Sequence, residues 1–249
     1  MKNRSSMTEH ALSFDRAAAV YAATRPSYPS AAVDWLVPET AERVLDLAAG
    51  TGKLTRLLVD RGGLEVVAVD PSPNMLGELH VHVPGVPTFV GTAEDLPLPD
   101  NAVDAVTVAQ AWHWVDPAAA VPEIARVLRP GGTLGLVWNS RDESVAWVAE
   151  FGDILARLHE RDEQEVAPHI SAPFGPVESL RIPWQQTLTA AGLLDLVRSR
   201  SYFITATPEQ QADVLGAVGD LLAGHPELAG RENIELPYLA DCFRTRLAG

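Results

Sequence analysis

The stretch that most constrains this chain runs Val44-Leu45-Asp46-Leu47-Ala48-Ala49-Gly50-Thr51-Gly52-Lys53-Leu54-Thr55. It reads as a short apolar strand carrying an acid, a tight loop of small residues, and the opening of a helix. Small residues let a ligand approach the backbone closely, and the first N–H groups of a helix point at it. A strand that feeds a helix through such a loop is one unit of an alternating α/β chain.

The following hundred residues repeat that unit. Arg43 to Leu47 is the first expected strand, and Leu54, Leu57 and Leu58 recur at helical spacing until Gly62-Gly63. We expect Thr51 to cap that helix, as Ser30 caps one over 31–37. Glu65 to Asp70 is a second apolar strand closed by an acid, followed by a helix around 73–80. Thr88 to Val90 and Val103 to Ala109 are the third and fourth strands, the latter continuously apolar as in a strand buried on both faces. Asp116-Pro117 opens a helix that Pro122 is expected to split. Thr133 to Trp138 is the fifth strand. Strands alternating with helices give a parallel sheet with right-handed crossovers.

The pattern then changes. Val145 to Leu158 reads as a helix, and the Pro- and charge-rich residues 160–187 read as an irregular, substrate-facing lid. Residues 196–205 and 234–246 alternate well enough to be two closing strands, with a helix over 208–223 between them. Before the first strand, Ala17 to Ala23 suit a helix that Arg25-Pro26 ends, and the first dozen residues read as a frayed tail.

Composition excludes several classes. A net charge of -14 argues against a nucleic-acid backbone as partner. The single cysteine, Cys242, allows neither an intrachain disulfide nor a cysteine metal cluster, which fits a cytoplasmic protein. His159, Asp162, Glu163 and His169 do not make a convincing metal set. No apolar run reaches the ~18 residues of a spanning helix, and no signal peptide is visible, so no membrane partner is expected.

Two phosphate loops fail on the opening stretch. A Walker A loop needs Ser or Thr after Gly-Lys and a glycine five residues before the lysine's glycine, but Leu54 and Leu47 stand there. A dinucleotide fingerprint needs a small residue where Thr55 stands. Asp46 would also repel a pyrophosphate, and suits a cationic ligand instead.

S-adenosyl-L-methionine, with its sulfonium and ammonium, is such a ligand. The chain resembles the class I S-adenosylmethionine-dependent methyltransferases, of the broad type 11 kind. The resemblance rests on Asp46-Leu47-Ala48-Ala49-Gly50-Thr51-Gly52, on Val66-Val67-Ala68-Val69-Asp70, on Gly91-Thr92-Ala93-Glu94-Asp95-Leu96-Pro97, and on Leu128-Arg129-Pro130-Gly131-Gly132. Together these cover residues 40–140 in the family's order. Ala48 departs mildly, standing where the family often has Gly. Gln110-Ala111-Trp112-His113-Trp114 and Trp138-Asn139-x-Arg141-Asp142 are similar, more loosely, to the trans-aconitate carboxyl methyltransferases.

The resemblance implies an α/β, Rossmann-like class I methyltransferase fold, with a seven-stranded, mostly parallel sheet and helices on both faces. It implies an N-terminal cofactor-closing segment over 1–30, a cofactor-binding core over 31–140, a helix and lid over 141–190, and a C-terminal part over 191–249 that completes the sheet. The implied cofactor-binding residues are Tyr21, Arg25, Asp46, Ala48, Gly50, Thr51, Gly52, Asp70, Pro71, Met75, Ala93, Glu94 and Gln110. Of these, Asp70 would take the ribose hydroxyls, Met75 and the Ala93-Glu94 pair would meet the adenine, and Arg25 would pair with the methionine carboxylate. His113 is the candidate catalytic base, with packing between Trp112 and Trp114 as the plainer reading. The expected reaction is methyl transfer to a small-molecule acceptor, with O-methylation of a carboxylate or hydroxyl favoured. A non-catalytic protein that binds S-adenosylmethionine or S-adenosylhomocysteine is the alternative. Neither the acceptor nor the oligomeric state is legible in the sequence.

Overall fold

In the computed structural model, residues 26–159 and 168–248 are described. Its centre is a seven-stranded sheet in the order β3-β2-β1-β4-β5-β7-β6. The strands are β1 (Arg43–Leu47), β2 (Glu65–Asp70), β3 (Thr88–Val90), β4 (Val103–Ala109), β5 (Leu128–Arg141), β6 (Glu178–Leu188) and β7 (Ile234–Arg246). β1 to β5 pair in parallel, and β7 runs antiparallel to both β5 and β6. This is the expected α/β, mostly parallel class I methyltransferase sheet.

Helices cover both faces. α1 (Ser30–Leu36), α2 (Lys53–Arg61) and α3 (Pro73–His82) lie on one, and α4 (Pro117–Val127) lies on the other. Strand alternation decides which side chain meets which layer. Val44, Val66 and Ala68 join Leu36, Leu54 and Leu79 in one apolar cluster, while Leu45, Leu47, Val67 and Val69 join Val121, Ile124 and Val127 in the other. Asp46 shares its pleat with Val44, so it points beneath the start of α2.

A third cluster belongs to α5 (Ala146–Leu155), α6 (Ala190–Arg198), α7 (Ser201–Ile204) and α8 (Pro208–Gly224). These helices pack on Ile234, Leu236 and Tyr238 of β7. β5 ends at Arg141 opposite Tyr238, so Ile234 to Leu236 pair only with β6. This two-stranded extension runs past the carboxyl edge of the parallel strands and carries the helical layer there.

Several local expectations are corrected. Ser30 and Thr51 do not cap their helices: Pro29 precedes α1, and Gly52 at φ 85° precedes α2 without a side-chain cap. Only a glycine turns that corner cheaply. Pro122 does not split α4, because it removes one hydrogen bond from a helix held by buried Ala120, Val121, Ile124 and Val127. Residues 196–205 form no strand; they lie in α6 and α7, where Leu193, Leu196 and Val197 are buried at helical spacing and Thr189 Oγ1 accepts from Gly192 N. The missing strand is β6, inside the stretch read as an irregular lid. It is an edge strand with mostly exposed side chains, and Pro183 is tolerated there because an edge strand need not donate on both sides. The expected helix over Ala17 to Ala23 lies outside the described residues, as does part of the expected lid.

Candidate functional site

The strand order reverses between β1 and β4, and a crevice opens at their carboxyl ends, as open α/β sheets generally provide. The glycine loop forms its floor. Ala48 at φ 57° and Gly50 at φ 56° turn the chain back on itself before Gly52. A Cβ on Gly50 would meet nothing within 4 Å, whereas one on Gly52 would stand 2.8 Å from Leu79 Cγ. Gly50 is therefore small toward open space, and Gly52 is small because α3 presses against it.

Asp46 lies at the bottom, fully buried. Its Oδ2 accepts the Thr55 hydroxyl at 2.6 Å, which ties β1 to α2. Its Oδ1 is buried without a hydrogen-bond partner among the described residues, and so is Thr51 Oγ1. Burial pushes the Asp46 carboxyl up to about 7; the nearby Asp70 charge adds to the rise, and the Thr55 hydroxyl opposes it. A buried acid with one oxygen unmet is completed by a cation.

Asp70 closes β2 and braces the loop. One carboxylate oxygen accepts Gly50 N at 2.8 Å and the other accepts Ser72 N at 2.9 Å.

A cavity of about 420 Å³ rises from this floor. Asp46, Ala48, Gly50, Thr51, Gln110 and His113 line it. The other expected residues stand apart from it. Gly52 is buried under α3, Pro71 is exposed, and Met75 is buried with its backbone N–H donating to Ser72 Oγ. Ala93 lies in the α4-side core, and Glu94 Oε1 accepts Asp116 N at 2.9 Å. Tyr21 and Arg25 lie outside the described residues.

The Trp112-His113-Trp114 run forms a 3-10 turn after β4. It divides its residues: Trp112 joins the core, while His113 and Trp114 are exposed at the rim, their rings 4.7 Å apart. Gln110, at φ 58°, donates from Nε2 to the Asn139 carbonyl at 3.2 Å.

The site also holds residues that were not among the implied cofactor-binding or catalytic ones. Asn139, at the end of β5, donates to the Ser27 carbonyl at 2.7 Å and accepts from Trp184 Nε1 at 3.0 Å. It thereby joins the segment before α1, strand β6 and the β4 loop at one point. Tyr28, His159, Arg200, Tyr202 and Tyr238 also line the cavity. Tyr238 had a signal, since it sits in phase with Ile234, Leu236 and Ala240 on the inward face of β7. Arg200 and Tyr202 had none, being on a corner between two short helices.

Fold and site define a class I methyltransferase frame, with the glycine loop and two acids at the switch point. The comparisons agree. Residues 45–136 match the methyltransferase domain family. An uncharacterized methyltransferase of Mycobacterium tuberculosis is 52% identical over 243 residues, covering 98% of this chain and 99% of that protein. An uncharacterized methyltransferase-like protein of Schizosaccharomyces pombe is 34% identical, over 90% and 91% of the two chains. A structure assigned to a type II methyltransferase from Anaeromyxobacter dehalogenans superposes with a TM-score of 0.70 at 25% identity, covering 91% and 99%. The chain belongs to the methyltransferase family, and it is a methyltransferase. No described helix is long and apolar enough to cross a membrane.

The fold class implies S-adenosylmethionine, and the residues present fit it. A cationic amino-acid moiety would meet the unpartnered Oδ1 of Asp46, and the bare Gly50 backbone would leave room for it.

Proposed function

We propose that the chain methylates a small polar acceptor at oxygen, with its cofactor seated between Asp46 and Asp70. The observation that carries this reading is the buried, half-satisfied carboxylate of Asp46 under a glycine loop at the switch point. When bound, the cofactor supplies a methyl group on a sulfonium that is already a good leaving group. The protein then has to align a nucleophile and exclude water.

In this reading Asp46 holds the cationic amino-acid end, and Gly50 and Thr51 let the backbone close on it. Asp70, which also braces Gly50 and Ser72 at the end of β2, takes the ribose hydroxyls. Ala48 and Gln110 shape the wall. Pro71, Met75, Ala93 and Glu94 serve the adenine side through the loops after β2 and β3, Gly52 serves by close packing, and Tyr21 and Arg25 close from the N-terminal segment of residues 1–30. Residues 31–140 hold the cofactor, and the chain from 141 onward builds the acceptor side. His113 stands at the rim, where it accepts a proton from a hydroxyl acceptor; a carboxylate acceptor needs no such base.

The test is labelled-methyl transfer from S-adenosylmethionine across carboxylic acids, phenols, alcohols and amines. Base-stable and base-labile products separate ethers from esters. Label on oxygen acceptors supports the reading. Label confined to amines, or cofactor binding with no turnover on any acceptor, overturns it, the latter in favour of a non-catalytic binding protein.

A further inference from the structure

Part of the cavity lining carries charge opposite to that of Asp46. Arg200 and Tyr202, at the α6–α7 corner, and Tyr238 of β7 form it. Arg141, paired with Tyr238 across the sheet, stands behind them. Its side chain is only 16% exposed, and its guanidinium lies 5.5 Å from the Phe151 ring centre. Glu143 Oε1 lies 3.7 Å from Arg141 Nη2, too far for a hydrogen bond.

Both Arg141 Nε and Arg200 Nε are buried without a hydrogen-bond partner among the described residues. Other arginines of the chain are engaged: Arg43, Arg126, Arg129, Arg181 and Arg244 each meet a carboxylate within 3.1 Å. Arg141 and Arg200 instead feel each other. Burial chiefly, and then the Arg200 charge, pull Arg141 below the usual arginine range, while Tyr202, Tyr238 and Glu143 oppose this. Two like charges kept partly desolvated, each with a donor unused, are a cost unless an anion joins them. The protein carries a net charge of -14, so this is a local reversal of its field.

We propose that this part of the cavity is an oxyanion subsite for the methyl acceptor, in which Arg200, backed by Arg141 and flanked by Tyr202 and Tyr238, holds a carboxylate or phosphate that is not itself methylated. The proposal rests on the methyltransferase reading of the neighbouring Asp46 site for its word acceptor. A guanidinium offers paired donors to such a group and fixes its plane. It also withdraws the negative charge that a nucleophile needs, so the bound oxyanion is an anchor. The atom that is methylated then belongs to a second group of the same molecule. The acceptor class is a small hydroxy acid, dicarboxylic acid or phosphorylated alcohol, and primary or tertiary amines without an acid group are repelled.

The experiment has two arms. The first measures thermal stabilisation of the S-adenosylhomocysteine-loaded protein by succinate, malate and glycerol 3-phosphate, in wild type, Arg200→Gln, Arg200→Lys and Arg141→Lys. Their neutral counterparts, succinamide and glycerol, serve as controls. The second measures KM and kcat for whichever acceptors accept labelled methyl, together with the Kd of S-adenosylhomocysteine. We expect anions to stabilise wild type and neutral counterparts not to. We expect Arg200→Gln to raise Kd or KM for the anion about 10- to 100-fold, with kcat and the S-adenosylhomocysteine Kd nearly unchanged. Arg200→Lys, which keeps the charge and guards against a folding artefact, should show a smaller rise. Carboxylate against phosphate preference identifies the source of the oxyanion.

Equal use of neutral and anionic probes, or an anion response unchanged in Arg200→Gln, overturns the subsite. So does an S-adenosylhomocysteine affinity that falls in Arg200→Gln as much as the anion's does, which would place Arg200 on the cofactor. If wild type binds anions through Arg200 but binds no S-adenosylhomocysteine, the subsite stands and the methyltransferase reading of the cavity falls.

Discussion

Asp46→Asn separates the energetic burden of the site from its use. The amide keeps an oxygen to accept the Thr55 hydroxyl, now 2.6 Å from the carboxylate, and it removes the charge. In the folded protein the carboxyl is raised from an ordinary 3.8 to about 7. Between those values the folded state holds a proton that the unfolded chain has released. Wild-type stability therefore falls as pH rises through this window, and the loss is complete above pH 7. The full difference corresponds to about 4 kcal/mol, and about 3 kcal/mol of it lies between pH 5 and 8. Asp46→Asn has no such slope. Urea denaturation of the cofactor-free protein at pH 5, 6, 7 and 8 should show the variant gaining on wild type by about 3 kcal/mol across the series. Other titrating groups are common to both proteins and cancel in the difference. In the same samples, S-adenosylhomocysteine should stabilise wild type at pH 8 and have little effect on the variant. Parallel pH profiles for the two proteins would refute the reasoning, because Asp46 would then carry no burial penalty for a cation to relieve.

The two glycines of the loop should respond differently to alanine. Gly52→Ala places a methyl group 2.8 Å from Leu79 Cγ at a left-handed residue, so denaturation should show a loss of about 2–4 kcal/mol. Gly50→Ala meets no neighbour, and should cost only about 1–2 kcal/mol while sharply weakening S-adenosylhomocysteine binding by calorimetry. Asn139→Ala leaves Trp184 Nε1 and the Ser27 carbonyl without their partner, for a stability loss of about 1–3 kcal/mol and faster hydrogen exchange in the segment before α1. His113→Ala should leave S-adenosylhomocysteine affinity unchanged, and should lower kcat about 100-fold or more for a hydroxyl acceptor and little for a carboxylate. Equal losses on both acceptors would remove the base role.

The parallel half of the fold was legible because it is written in local rules. The limits of β1 through β4 follow from apolar runs, with an acid marking the ends of β1 and β2, and Asp116-Pro117 and Thr207-Pro208 start their helices where capping chemistry says they should. The other half was decided by packing that no local rule shows. Residues 196–205 alternate as a strand would, yet Leu193, Leu196 and Val197 are claimed by the helical cluster on β7. β6 carries a proline and charged side chains because it is an edge, and an edge has one face and one side free of burial demands. The site divides the same way. Asp46, Gly50 and Thr51 sit in one contiguous motif and share the cavity, while Arg200, Tyr202 and Tyr238 reach it only through the path of α6, α7 and β7. Asp70 was expected at the ribose, and its existing bonds to Gly50 and Ser72 show a second duty that sequence spacing does not reveal.

The most direct test of the account is titration calorimetry of the wild-type chain with S-adenosylhomocysteine, NAD and ATP at pH 8. The account predicts one S-adenosylhomocysteine per chain, weakened at pH 6 as Asp46 takes up its proton, with no heat from NAD or ATP. Binding of NAD or ATP with no response to S-adenosylhomocysteine would contradict it.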